Sequence, residues 1–219
     1  MTKERVSPTQ KALNLWAIVL IIWAIYRSKV KFPEEFDEFV AKPLVFILPV
    51  WYYITHMEKR NFFDGIDLRF KSIRADVLMG LGIGGVFFIS ALLANLMSGR
   101  AMTLGGYGLN PTGIATVVAI AIATGISEEI LSRGFILKRL YEESKNMYLS
   151  SFFASILFFF LHVPMLFTNP HINGNMLLMF MLTDMVLSLT CSFIFLSRKS
   201  LTLPILIHAF YNLAIIFFL

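Results

Sequence analysis

The sequence predicts an all-α, polytopic transmembrane helical bundle of about seven spans, and three observations predict it. Hydrophobic residues make up 57% of the 219 and charged residues only 15%, with a mean hydropathy of +0.72, far from the balance of ordinary soluble domains. The apolar residues fall in runs that meet or approach the roughly 20 residues needed to cross a hydrocarbon core about 30 Å thick. The charges are confined to short stretches between those runs, so one continuous membrane domain is expected and no separate soluble one.

In chain order the runs cover residues 12–26, 39–57, 77–97, 112–137, 148–167, 176–196 and 201–219. The first lacks a small-residue cleavage site and is read as an uncleaved span. The second is interrupted by Pro43 and Pro49, which suits a tilted or partly interfacial helix. Trp23, Tyr26, Trp51, Tyr52 and Tyr53 fall near predicted span ends, where amphipathic rings anchor at the headgroup level. Gly80, Gly82, Gly84 and Gly85 have no preceding strand, so close helix packing is expected of them rather than a nucleotide loop. Asn110 followed by Pro111 reads as a cap and first turn that open the fourth span. The sole cysteine, Cys191, lies within an apolar run and reads as a small packing residue.

The net charge of +5 does not point to nucleic acid, because Lys and Arg cluster where apolar runs end. The lipid bilayer is the expected partner. With loops assigned alternately to two sides, one side carries Lys3, Arg5, Lys11, Lys59, Arg60, Arg69, Lys71, Arg74, Lys138, Arg139, Lys145, Arg198 and Lys199. The other has Arg27, Lys29, Lys31, Lys42 and Arg100, the first four beside Glu34, Glu35, Asp37 and Glu38. The bias places the N-terminus in the cytoplasm and the C-terminus outside. A multi-pass protein of a bacterial or archaeal plasma membrane is expected.

A charge near the bilayer centre costs at least about 2.5 to 3.5 kcal/mol, so its presence asks for a reason. The fourth span carries Glu128, Glu129 and Arg133. Glu129 and Arg133 are four apart in the favourable order and can pair on one helix face. Glu128 points about 100° away and needs another partner. His162 and His208 are candidates, with Asn212 one turn after His208. Counted at about 1.5 Å per residue from the cytoplasmic span ends, Glu128 lies roughly 15 Å deep, His162 roughly 21 Å and His208 roughly 12 Å. A carboxylate, two imidazoles and an amide can therefore converge near mid-membrane. Asp184, without an obvious partner, and His56 and His171, near the surface, read as structural polar groups.

At these residues the sequence resembles the CPBP family, the CAAX proteases and bacteriocin-processing enzymes, also called the Abi family. Two glutamates, three residues and an arginine appear as Glu128 to Arg133; Phe, three residues and His as Phe158 to His162; His, three residues and Asn as His208 to Asn212. The resemblance covers residues 112–219, a catalytic core, while residues 1–111 carry no motif. It implies hydrolysis of a peptide bond in a membrane-associated protein or peptide. Glu128 would be the general base and His162 would orient the water, which suits a carboxylate beside an imidazole. His208 and Asn212 would stabilise the oxyanion, with Glu129 and Arg133 holding the base in place. Family members include metalloproteases and metal-independent glutamate proteases, which leaves a divalent metal such as zinc open as cofactor. The zinc-protease pattern of two histidines four apart flanking a glutamate is absent.

Rhomboid-type Gly-x-Ser-Gly and presenilin-type Gly-x-Gly-Asp sequences are also absent. A non-catalytic scaffold or bacteriocin-immunity factor on the same fold is the main alternative. A proton-coupled transporter fits less well, with no inverted repeat visible. No motif marks the residues that would select a substrate.

Overall fold

The computed structural model describes residues 6–70, 73–99, 106–168 and 174–218. Lys3, Arg5, Lys71, Arg100 and His171 lie outside the described residues. The fold is helical, with the chain running through α1 (Pro8–Lys29), α2 (Glu34–Met57), the short α3 (Phe62–Gly65), α4 (Ile73–Ser98), α5 (Pro111–Ser144), α6 (Met147–Thr168), α7 (Gly174–Arg198) and α8 (Thr202–Phe218). Six of the described helices are long and apolar enough to cross a membrane, and α8 is a shorter apolar helix of 17 residues. The protein is a multi-pass integral membrane protein.

Local chemistry sets the helix boundaries. Ser7 caps α1 by accepting from the Gln10 backbone N–H, and Asn110 caps α5 by accepting from Gly113 at 2.8 Å. Each side chain takes a donor that the first turn would leave unpaired. Pro43 and Pro49 do not break α2. The backbone widens into π-helical turns over Asp37–Ala41, Pro43–Ile47 and Tyr53–Met57, with Leu48 N–H reaching Pro43 O, so neighbouring carbonyls are satisfied although proline donates nothing. The expected interrupted span is one helix of 24 residues.

Helix α5 is the hub, packed by α1, α2, α6, α7 and α8. At 34 residues it is about 51 Å long, more than the bilayer core, so its last turns extend beyond the apolar layer. Helix α8 packs against both α4 and α5. Gly80 and Gly84 allow the first contact: a Cβ there would come within 2.9 Å of Leu206 and 2.7 Å of Phe210. Gly82 and Gly85 have no neighbour of that kind, so the packing expectation holds for the first pair alone. Gly125 allows the second contact, since its Cβ would stand 3.1 Å from the Ile205 carbonyl oxygen.

Two aromatic assignments are corrected. Trp23 and Tyr53 are buried in the core rather than anchored at a surface; Trp23 packs on Tyr26 and Phe46, and Tyr53 on Phe135. Trp51 and Tyr52 are exposed. Cys191 is fully buried among Leu187, Leu203, Ile207 and Tyr211, the packing role expected of it.

Candidate active site

The close α5–α8 approach at Gly125 lies one helical turn before Glu128 and Glu129, and it brings His208 onto them. His208 Nδ1 is 2.8 Å from Glu129 Oε1, and Arg133 Nη1 donates to the same oxygen at 2.8 Å. The Glu129–Arg133 pair is the expected i, i+4 pair, with side chains 0% and 1% exposed. It opens a π-helical stretch, Ile130–Leu137, and the Arg133 guanidinium lies 4.3 Å from the Phe158 ring centroid, a favourable cation–π placement.

Glu128 faces a different group, as its angular offset requires. Its Oε2 stands 3.6 Å from His162 Nε2 and 3.6 Å from His208 Nε2, and this buried oxygen has no hydrogen-bond partner among the described residues. A separation of 3.6 Å is too long for a direct bond and lets one water, set to the side of the line between them, contact both atoms. His162 Nδ1 is 3.3 Å from the Phe158 carbonyl oxygen and 3.7 Å from Asp184 Oδ2. An Nδ1–H pointed at those acceptors leaves a lone pair on Nε2, toward Glu128. Asn212 presents a buried Nδ2 with no partner among the described residues. The structure thus brings together Glu128, Glu129, Arg133, His162 and His208, with Asn212 one turn along α8. His56 is elsewhere, stacked on Tyr52 and bonded to Thr55.

Two acidic and basic groups that the sequence reading placed differently belong here. Lys42, counted above as an outer charge, is 6% exposed and donates to Glu128 Oε1 at 2.8 Å, while pairing with Glu38 at 2.6 Å. Thr124 in turn donates to Glu38 Oε2 at 2.7 Å. Asp184, read as structural, is 2% exposed and lies behind His162. Arg27 pairs with Asp37, which also accepts from Tyr26. With Lys42 and Arg27 both paired, the outer side of the charge count retains Lys29, Lys31 and Arg100. The signal for Lys42 was present: a lysine four residues after Glu38 inside an apolar run.

A cavity of about 290 Å³ reaches Glu128 and His162 from the side of α1 and α2, between Trp23, Phe32, Phe46, Leu161 and the Arg27–Asp37 and Lys42–Glu38 pairs. A larger one of about 510 Å³ lies apart, among Arg60, Arg69, Lys138 and Lys199, and contains none of the motif residues. A zinc ion would have to be held by Glu128, His162 and His208. Among the described residues no group of three or more His, Cys, Asp or Glu side chains is arranged to hold a metal ion. The Lys42 ammonium moreover sets a positive charge against one Glu128 oxygen, which opposes a second cation on the other. The Lys42 charge and this arrangement of donors therefore disfavour a resident metal.

A multi-pass bundle that buries carboxylates, imidazoles and an amide beside a cavity, with one carboxylate oxygen free, has the make-up of a candidate active site. Residues 110–214 match the model of the family described as type II CAAX prenyl endopeptidase Rce1-like. This segment, just under half of the chain, is similar to that family of endopeptidases. No curated protein and no solved structure matches the chain.

Proposed function

We propose that the protein is an endopeptidase that hydrolyses a peptide bond of a membrane-associated protein or peptide with a water activated by Glu128. The observation that carries this reading is the free Glu128 Oε2, faced at 3.6 Å by the Nε2 atoms of both His162 and His208. A water there gives one proton to Glu128 and directs the other to the His162 lone pair, so that its own lone pair is free to attack the carbonyl carbon. The C–O bond forms as the carbonyl becomes an oxyanion. Asn212 Nδ2 is a free donor for that charge, and His208 is a second when its ring carries both protons, the one on Nδ1 directed to Glu129. Collapse breaks the C–N bond, and Glu128 returns its proton to the leaving amine. The cavity on the α1–α2 side, lined by aromatic rings and paired charges alike, admits the substrate.

Lys42 holds Glu128 by the other oxygen, fixing which one faces the histidines. Lys42→Met is expected to lower folded yield by leaving Glu38 and Glu128 buried without a cation. Adding Glu38→Gln should recover much of the yield without recovering activity, because Glu128 is still unheld. A Lys42→Met protein with wild-type yield and turnover would remove Lys42 from the site.

The direct experiment is cleavage of a reporter peptide library, with prenylated and unprenylated members, by the purified protein. Cleavage is expected, and a chelator at excess over any bound metal should leave the rate unchanged. Loss of activity in chelator, restored by zinc, would overturn the metal-free reading, and absence of any cleavage would overturn the endopeptidase reading.

A further inference from the structure

Away from the reacting atoms, the bundle buries polar groups that the chemistry above does not use. Ser151 and Ser155 on α6 and Ser188 and Ser192 on α7 are each 0% exposed, and none of their hydroxyls has a hydrogen-bond partner among the described residues. The same holds for Ser132 Oγ, Glu129 Oε2 and the Nε and Nη2 of Arg133 on α5. Buried polar atoms are nearly always paired, with protein or with ordered water, so a concentration of orphans on three packed helices needs a common partner.

Their placement is regular. At 100° per residue, Ser151, Ser155, Phe158 and His162 share one face of α6, and Asp184, Ser188 and Ser192 share one face of α7. The two helices pack together, and the His162–Asp184 contact at 3.7 Å fixes their register. Both serine faces therefore run in the same direction from the site. Ser188 and Ser192 stand about 6 and 12 Å from the level of Asp184, and Ser155 and Ser151 about 10 and 16 Å from that of His162. Arg133 is aimed into this seam, because its guanidinium covers Phe158, which lies between Ser155 and His162 on the same face. At the far end Ser150 Oγ is 2.8 Å from Ser144 Oγ, and Ser144 is exposed.

We propose that this seam between α5, α6 and α7 holds a file of water molecules running from the membrane surface at Ser144 to the Glu129–Arg133 pair and the histidines. Each water bridges serine hydroxyls and the free Arg133 nitrogens, which supplies the missing partners and keeps a buried guanidinium solvated. The file also gives a site enclosed by lipid a route for the water that hydrolysis consumes, separate from the cavity on the α1–α2 side. Hydration of the seam does not depend on which substrate the site takes. The competing arrangement is a dry seam, in which the serines serve only as small residues for close helix approach.

The two arrangements differ in thiol chemistry, since a thiol reacts rapidly only where water lets it ionise. In a Cys191→Ala background, Ser155→Cys and Ser192→Cys are exposed to silver ion in lipid nanodiscs. Phe153→Cys, at a half-exposed position on the outer surface of α6, is the dry control, and Ser144→Cys is the wet one. The cysteines at 155 and 192 are expected to react at least about tenfold faster than the one at 153. Rates at 155 and 192 as slow as at 153, with 144 reacting fully, overturn the proposal. Should a cysteine variant aggregate, the unaltered chain answers the same question by X-ray radiolysis in ¹⁸O-labelled water. Oxidation of the buried Phe158, which lies on the seam face between Ser155 and His162, with incorporation of the label supports the file, and an unlabelled Phe158 overturns it.

Discussion

Glu128→Gln is expected to lower peptide turnover by about 10² to 10⁴, the usual worth of general-base assistance, while leaving the protein folded and inserted. Gln keeps the volume of Glu and its carbonyl oxygen can still accept from Lys42, but it cannot take a proton from water at neutral pH. The structure strengthens the forecast of an intact fold, because Lys42 retains its pair with Glu38 at 2.6 Å when Glu128 is neutralised. His162→Ala and His208→Ala should also abolish cleavage, each leaving Glu128 in place. A non-catalytic scaffold makes the opposite forecast. If a cellular phenotype of the protein survives all three substitutions at wild-type expression, proteolysis is not its operative function. The measurement is cleavage of the reporter peptide alongside a thermal unfolding curve for each variant.

Arg133→Ala is expected to destabilise the fold by about 3 to 5 kcal/mol, the cost of stripping one partner from a buried ion pair. The Glu129 carboxylate it would abandon is 0% exposed, and its Oε1 would retain only His208. Because Glu129 also orients His208, activity should fall with stability. Replacing both charges together, as Arg133→Met with Glu129→Gln, leaves no buried charge and should recover much of the folded yield without the activity. Thermal unfolding in detergent reads the first effect and the reporter assay the second. An Arg133→Ala protein with an unchanged midpoint and full activity would contradict the pairing.

Much of this architecture was readable along the chain because it depends on local quantities. Run length and composition determine which segments are apolar enough to cross a bilayer, and the described helices contain most of the residues so expected, extended at most ends by polar turns such as Lys138–Ser144. The Glu129–Arg133 pair was readable for the same reason, since four residues on a helix is a fixed distance. Angular offset alone also required a separate partner for Glu128.

The identity of that partner is set by contacts between helices. Lys42 comes from α2, more than 80 residues earlier in the chain, and beside four acidic residues and Pro43 it had the local look of a span end. Whether it faces an interface or the bundle depends on the π-helical turns that carry α2 past its prolines and rotate Lys42 inward. The neighbour of Asp184 was hidden for the same reason: on α7 alone it has no partner within a turn, and His162, 3.7 Å away, belongs to another helix. The class of membrane fold was legible from run length and composition, because those follow from the thickness of a bilayer. The packing determined which carboxylate oxygen is held and which is free, because a contact between helices is set by crossing and close approach, here at Gly125, and spacing along the chain does not encode either.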